Sequence, residues 1–141
     1  PRQVKLHKVI EGREVAEKLD LSAPHTVHCL ADGHVMISML GDAAGKGPGG
    51  FLLLDDQFNI AGRWERSTEG MHYNYDYWYQ PRHNVMVSSE WAAPSTTRPG
   101  FKLDDVKAGF GSVGCSARLP LSPISRSPTG RSPAAGTGSR T

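Results

Sequence analysis

The 141 residues contain no apolar run near the roughly 18 residues of a membrane span, and two cysteines are too few for a disulfide-stapled secreted scaffold. The net charge of +2 sums two unlike segments: up to Phe110, twelve basic residues face fourteen acidic ones, while beyond it four arginines stand with no acid, lysine or aromatic. A body of net −2 gives no support to a nucleic-acid partner.

The chain opens on Pro1-Arg2-Gln3 without an initiator Met, which reads as a start inside a larger domain. Val4 to Ile10 alternates apolar with polar or basic residues and predicts a strand. Glu14 to Leu19 has room for one or two helical turns before Pro24. Thr26–Leu30 and Val35–Leu40 flank Ala31-Asp32-Gly33, a tight hairpin signal. After the glycine-rich stretch Gly41–Gly50 comes Phe51-Leu52-Leu53-Leu54, a short apolar run of buried-strand type. Asp55-Asp56 turns the chain into a strand over Phe58–Trp64. Tyr75–Gln80 and Val85–Trp91 then flank the turn Pro81-Arg82-His83-Asn84. From Gly111 to Thr141 the Ser/Pro/Gly/Arg composition cannot bury enough apolar surface to offset its ordering entropy, so 111–141 reads as a disordered tail. It repeats Arg-Ser-Pro at Arg126–Pro128 and Arg131–Pro133, as a phosphorylatable linker or, the preferred reading, as the product of an altered reading frame.

Val35-Met36-Ile37-Ser38 matches Val85-Met86-Val87-Ser88 at a shift of 50 residues. Four short strands repeating every 40–50 residues are the signature of propeller blades. The predicted fold is therefore all-β: a fragment of a β-propeller in residues 1–110, about one and a half blades, followed by the tail. A β-sandwich or single sheet is the competing architecture. The outer half of the last blade should fall between Phe101 and Arg118, where no paired strands are visible.

The run Tyr75-Asp76-Tyr77-Trp78-Tyr79-Gln80-Pro81-Arg82-His83-Asn84-Val85-Met86-Val87-Ser88-Ser89-Glu90-Trp91-Ala92-Ala93-Pro94 resembles the selenium-binding protein family, whose animal members are also called methanethiol oxidases. Lys5–Glu11, His25–Leu30, Gly49–Phe51 and Leu53–Asp55 agree with it. The resemblance runs from about Val4 to Phe110 and then stops, so the chain reads as a truncated fragment. It implies a cytosolic seven-bladed propeller, with the nucleus as a second compartment, that converts methanethiol, oxygen and water to formaldehyde, hydrogen sulfide and hydrogen peroxide. It also implies copper and selenium as cofactors and a small thiol as substrate. The alternative it leaves open is a non-enzymatic selenium carrier or intra-Golgi transport factor, for which peripheral membrane association remains compatible. A bound redox metal separates the two, and the fragment alone is expected to be inactive.

Oxygen activation requires a redox metal or cofactor, and imidazole suits copper. Among six histidines, His25, His28 and His83 fall in the matched stretches and are the candidate metal ligands. In an extended strand His25 and His28 point to opposite faces; both reach one ion only if His25 sits in a bend, which Pro24 permits. Under the 50-residue shift His25 corresponds to Tyr75, eight residues from His83. At about 3.3 Å per residue this separates the two by about 26 Å, so one site does not use both. Cys29 is a candidate soft ligand or selenium-binding thiol, against the blander reading of a small buried residue. His34, after a tight turn, reads as an exposed imidazole. Gly41-Asp42-Ala43-Ala44-Gly45-Lys46-Gly47 imitates a phosphate loop but is one residue short and lacks the Ser or Thr. Asp76, Glu90 and Arg82 are either an acid–base set or turn anchors. Trp78, Tyr79 and Trp91 are more readily core between blades than a nucleic-acid platform.

Overall fold

The structure is a computed structural model that describes residues 3–83, 85–100, 102–109 and 111–120, with Pro81 and 111–120 described by backbone alone. Residues 3–10 form no strand, contrary to their alternation, and Val4 and Leu6 stand almost wholly exposed. Alternation states which face a strand would bury; among the described residues no neighbour supplies the ladder hydrogen bonds that would hold one.

The first element is a helix, α1 (Gly12–Leu19), longer than the one or two turns expected. Lys18 pairs with Glu14 one turn back, and Asp20 ends the helix in the left-handed conformation. Four antiparallel strands follow, hydrogen-bonded in chain order: β1 (Ser22–Cys29), β2 (Val35–Gly41), β3 (Gly50–Leu54) and β4 (Ile60–Arg63). A second sheet holds β5 (Asn74–Gln80), β6 (Val85–Ala92) and β7 (Gly111–Pro120), also antiparallel. Between β6 and β7 lie two short helices, α2 (Pro94–Thr97) and α3 (Leu103–Lys107). Thus residues 111–120, assigned by composition to the tail, pair with β6, and the rest of the expected tail, 121–141, lies outside the described residues. No helix among the described residues is long and apolar enough to cross a membrane.

Side-chain alternation sorts the core into two layers. Met36, Phe51 and Leu53 face the second sheet, where they pack with Trp64, Met71, Tyr77 and Met86. Leu52, Leu54 and Met39 face the other way, onto Val15 of α1 and Leu21. The first sheet is covered on both sides, which is why β3 is apolar at every position after Gly50. Arg63 fastens the layers: its guanidinium donates to the Leu19 carbonyl (3.0 Å), to the Gly49 carbonyl (2.9 Å) and to buried Glu65, which accepts the Phe51 N–H (2.9 Å). A Cβ at Gly49 would run into the Met39 and Leu40 backbone, and one at Gly50 into Arg63 and Glu65. Glycine is needed at Gly49 for the close approach of backbone, whereas at Gly50 the flexible ends of Arg63 and Glu65 can give way.

Met36 and Met86, matched positions of the two hairpins, belong to the same buried cluster, so the two hairpins pack against each other.

Candidate functional site

β1 and β5 are edge strands of their sheets, and each is bulged near its start. Pro24 pairs with Met39 but Val27 with Ile37, so two residues, His25 and Thr26, stand opposite the one residue Ser38. In β5, Asn74 pairs with Glu90 and Asp76 with Ser89, leaving Tyr75 as the extra residue. A bulge shifts the alternation by one position. His25 and His28, expected on opposite faces, are therefore both turned toward β5. The His25 ring lies on Tyr75, centroids 3.9 Å apart and planes tilted 36°. The His28 ring meets Tyr77, Trp78 and Tyr79 edge-on at 4.9, 5.0 and 5.9 Å. The bulge, rather than a bend at Pro24 before the strand, brings the pair to one side.

Bulges leave backbone groups outside the ladder, and here a buried hydroxyl takes up two of them. Ser38, fully buried, accepts the Thr26 N–H (2.9 Å) and donates to the Tyr75 carbonyl (2.7 Å). The Thr26 hydroxyl lies 3.0 Å from His25 Nδ1 and 3.5 Å from that same carbonyl. Tyr77 and Tyr79 carry the contact between sheets further, donating to the carbonyls of Met36 (2.6 Å) and Cys29 (2.7 Å).

The other candidates are dispersed. His83 ends the short turn after β5, exposed, at the opposite end of that strand from the Tyr75 against which His25 packs. Cys29 is a free, exposed thiol rather than a buried small residue. It pairs with Val35, so it sits on the face opposite His28, which pairs with Met36. His34 is half-buried rather than free: its Nδ1 is 3.2 Å from Asp32, too poorly aligned for a hydrogen bond. Glu90 is buried and accepts the His72 N–H, Asp76 is exposed, and Arg82 lies in the turn beyond β5, so these three form no acid–base set. Trp78 and Trp91 are 69% and 45% exposed within this chain, while Tyr79 packs against the buried cluster. In the loop from Gly41 to Gly47, Asp20 and Asp42 accept the Ala43 and Lys46 N–H groups, so internal carboxylates occupy donors a phosphate would need. No cluster of three or more potential metal-ligating side chains forms among the described residues. Ser38, Thr26 and Tyr75 were missed by motif reasoning; the signal was a lone serine at an otherwise apolar position of β2.

The fold and site define an antiparallel β protein whose first strands bring paired imidazoles to a shared edge. Residues 1–116 match the family described as 56 kDa selenium binding protein (SBP56), and the chain belongs to it. Proteins named methanethiol oxidase from Homo sapiens and Bos taurus are 56% and 57% identical over 111 residues, 78% of this chain and 24% of each relative. Selenium-binding protein 3 of Arabidopsis thaliana is 52% identical over 111 residues, 78% of this chain and 23% of its own length. The solved structure of a hypothetical selenium-binding protein from Sulfolobus tokodaii is 43% identical, with a TM-score of 0.65 over 70% of this chain and 22% of that one. The chain thus spans about a quarter of the length of these relatives.

Proposed function

We propose that the chain contributes part of the metal site of a methanethiol oxidase of propeller architecture. One observation carries the reading: a bulge places two imidazoles, three residues apart, on one side of an edge strand. His25 and His28 would hold the ion, with further ligands from outside this chain's described residues. The donor set fits, because neutral imidazole is a good copper ligand and each ring is already held by an aromatic neighbour. Bound copper would supply the one-electron chemistry that side chains lack. The chain's own residues position the two rings, and Trp78 and Tyr79 give the His28 ring an apolar, polarizable surround suited to a small thiol. His83, at the other end of β5, would serve a separate role.

The test is copper affinity by chromophoric competition on the full chain. His25→Ala and His28→Ala should each weaken binding about 10-fold or more, and His34→Ala should leave it unchanged. Full affinity in both of the first two variants overturns the assignment. The second reading, a selenium carrier, rests on the exposed, unpaired Cys29. Selenite-derived selenium bound stoichiometrically by the wild type and lost in Cys29→Ser, with no copper bound, would favour it.

A further inference from the structure

We infer that the turn between β3 and β4 is a docking site for the chain's own residues 3–10, with Phe58 as the anchor that seats them. Three tight turns in the first sheet are built alike. In each, the N–H of the fourth residue donates to the carbonyl of the first, and the N–H of the first donates to the carbonyl of the fifth. The first, fourth and fifth residues are Leu30, Gly33 and His34, then Asp42, Gly45 and Lys46, then Asp55, Phe58 and Asn59. The fourth residue lies in the left-handed region each time, with φ of 94°, 76° and 57°. Glycine adopts that conformation freely, whereas a bulky side chain is strained by it. Two of the turns carry glycine there, and the third carries phenylalanine. Strain of this kind persists where a further contact holds it. Burial within the turn is not that contact, because Phe58 is 43% exposed. Its ring instead meets the His7 ring edge-on at 5.7 Å. Asn59 adds a second hold. The Asp55 carboxylate accepts its backbone N–H (2.7 Å) and its Nδ2 (3.0 Å), which turns its Oδ1 toward Lys8 Nζ at 2.5 Å. The amide has no other way round, since an ionised carboxylate only accepts and an ammonium only donates. Ile10 packs on the layer of Val15, Leu52 and Leu54. His7, Lys8 and Ile10 thus tie the segment to the first sheet, while Val4 and Leu6 beyond them stay exposed.

Phe58→Ala and Phe58→Gly both remove the ring, but only glycine also relieves the backbone. Brief trypsin digestion of the full chain, read by mass as chains beginning at Val9, reports how often the segment lifts off the turn. Both variants should raise that cleavage about 3-fold or more, the size expected for a lost aromatic contact. Phe58→Tyr, which keeps the ring, should hold it at the wild-type rate. In denaturant titration Phe58→Gly should unfold at a higher midpoint than Phe58→Ala, because glycine meets the left-handed φ without strain. Unchanged cleavage after Lys8 in both ringless variants overturns the inference. Equal midpoints for Phe58→Ala and Phe58→Gly overturn it as well, since an unstrained turn would leave the ring nothing to be retained against.

Discussion

Tyr77 joins the two sheets with both ends of its side chain. The ring is buried at 3% exposure, edge-on to Phe51 at 5.2 Å, and the hydroxyl donates to the Met36 carbonyl at 2.6 Å. Burial is the main reason its pKa lies well above the ordinary phenol value, since the charged phenolate is the form that burial disfavours. With an unfolded pKa near 10 and a higher folded one, the stability linked to this group is fully present below about pH 10. It is lost as pH rises through the folded value. Tyr77→Phe should cost about 1–2 kcal/mol, because the Met36 carbonyl loses its partner in a buried place. Melting temperature measured between pH 8 and 11 should fall more steeply in the wild type than in Tyr77→Phe; equal slopes would refute the assignment.

At the scale of elements, α1 and β1 illustrate what sequence pattern can and cannot convey. Leu21, fully buried, links the end of α1 to the layer of Leu52, Leu54 and Met39. Leu21→Ala should destabilise the chain by about 2–5 kcal/mol, the range for a large-to-small change in a packed core. Denaturant titration should show the loss as a shifted midpoint at constant slope, and a change under 1 kcal/mol would mean that the α1 layer is loosely packed. Of β1 only the part from Thr26 was expected, whereas β2, β3, β5 and β6 were legible because each is a short run rich in apolar or aromatic residues near turn residues. β7 was not, because its pairing is written in backbone hydrogen bonds and its Ser/Gly composition carries no face preference. Val4–Ile10 misled for the converse reason, having a face preference without a partner strand among the described residues. The site was half legible: the histidines lay in recognisable stretches, but nothing in His25-Thr26-Val27-His28 marks a bulge, and one inserted residue reverses the facing of every side chain after it.

For the molecule as a whole, what matters is which sheet faces are covered. α1 closes the outer face of the first sheet, and the second sheet closes the inner one. Phe51 and Leu53, at 0% and 8% exposure, are thereby sealed within this chain. The outer face of the second sheet presents Trp78, Val87 and Trp91 at 69%, 48% and 45% exposure. Trp78 and Val87 are directly paired across β5 and β6, so these two lie side by side on that face. Such a face favours association, because covering it removes apolar area from water at about 25 cal/mol per Å². In the propeller reading a neighbouring blade would lie there; for this chain alone the available cover is another copy. Sedimentation velocity should therefore show association that grows with concentration. Val87→Lys should suppress it, because a charge in the centre of the patch would have to be desolvated on contact. Far-ultraviolet circular dichroism should stay unchanged in that variant, since the side chain already points outward. A wild type that remains monomeric at every accessible concentration would refute the expectation that this exposed face drives association.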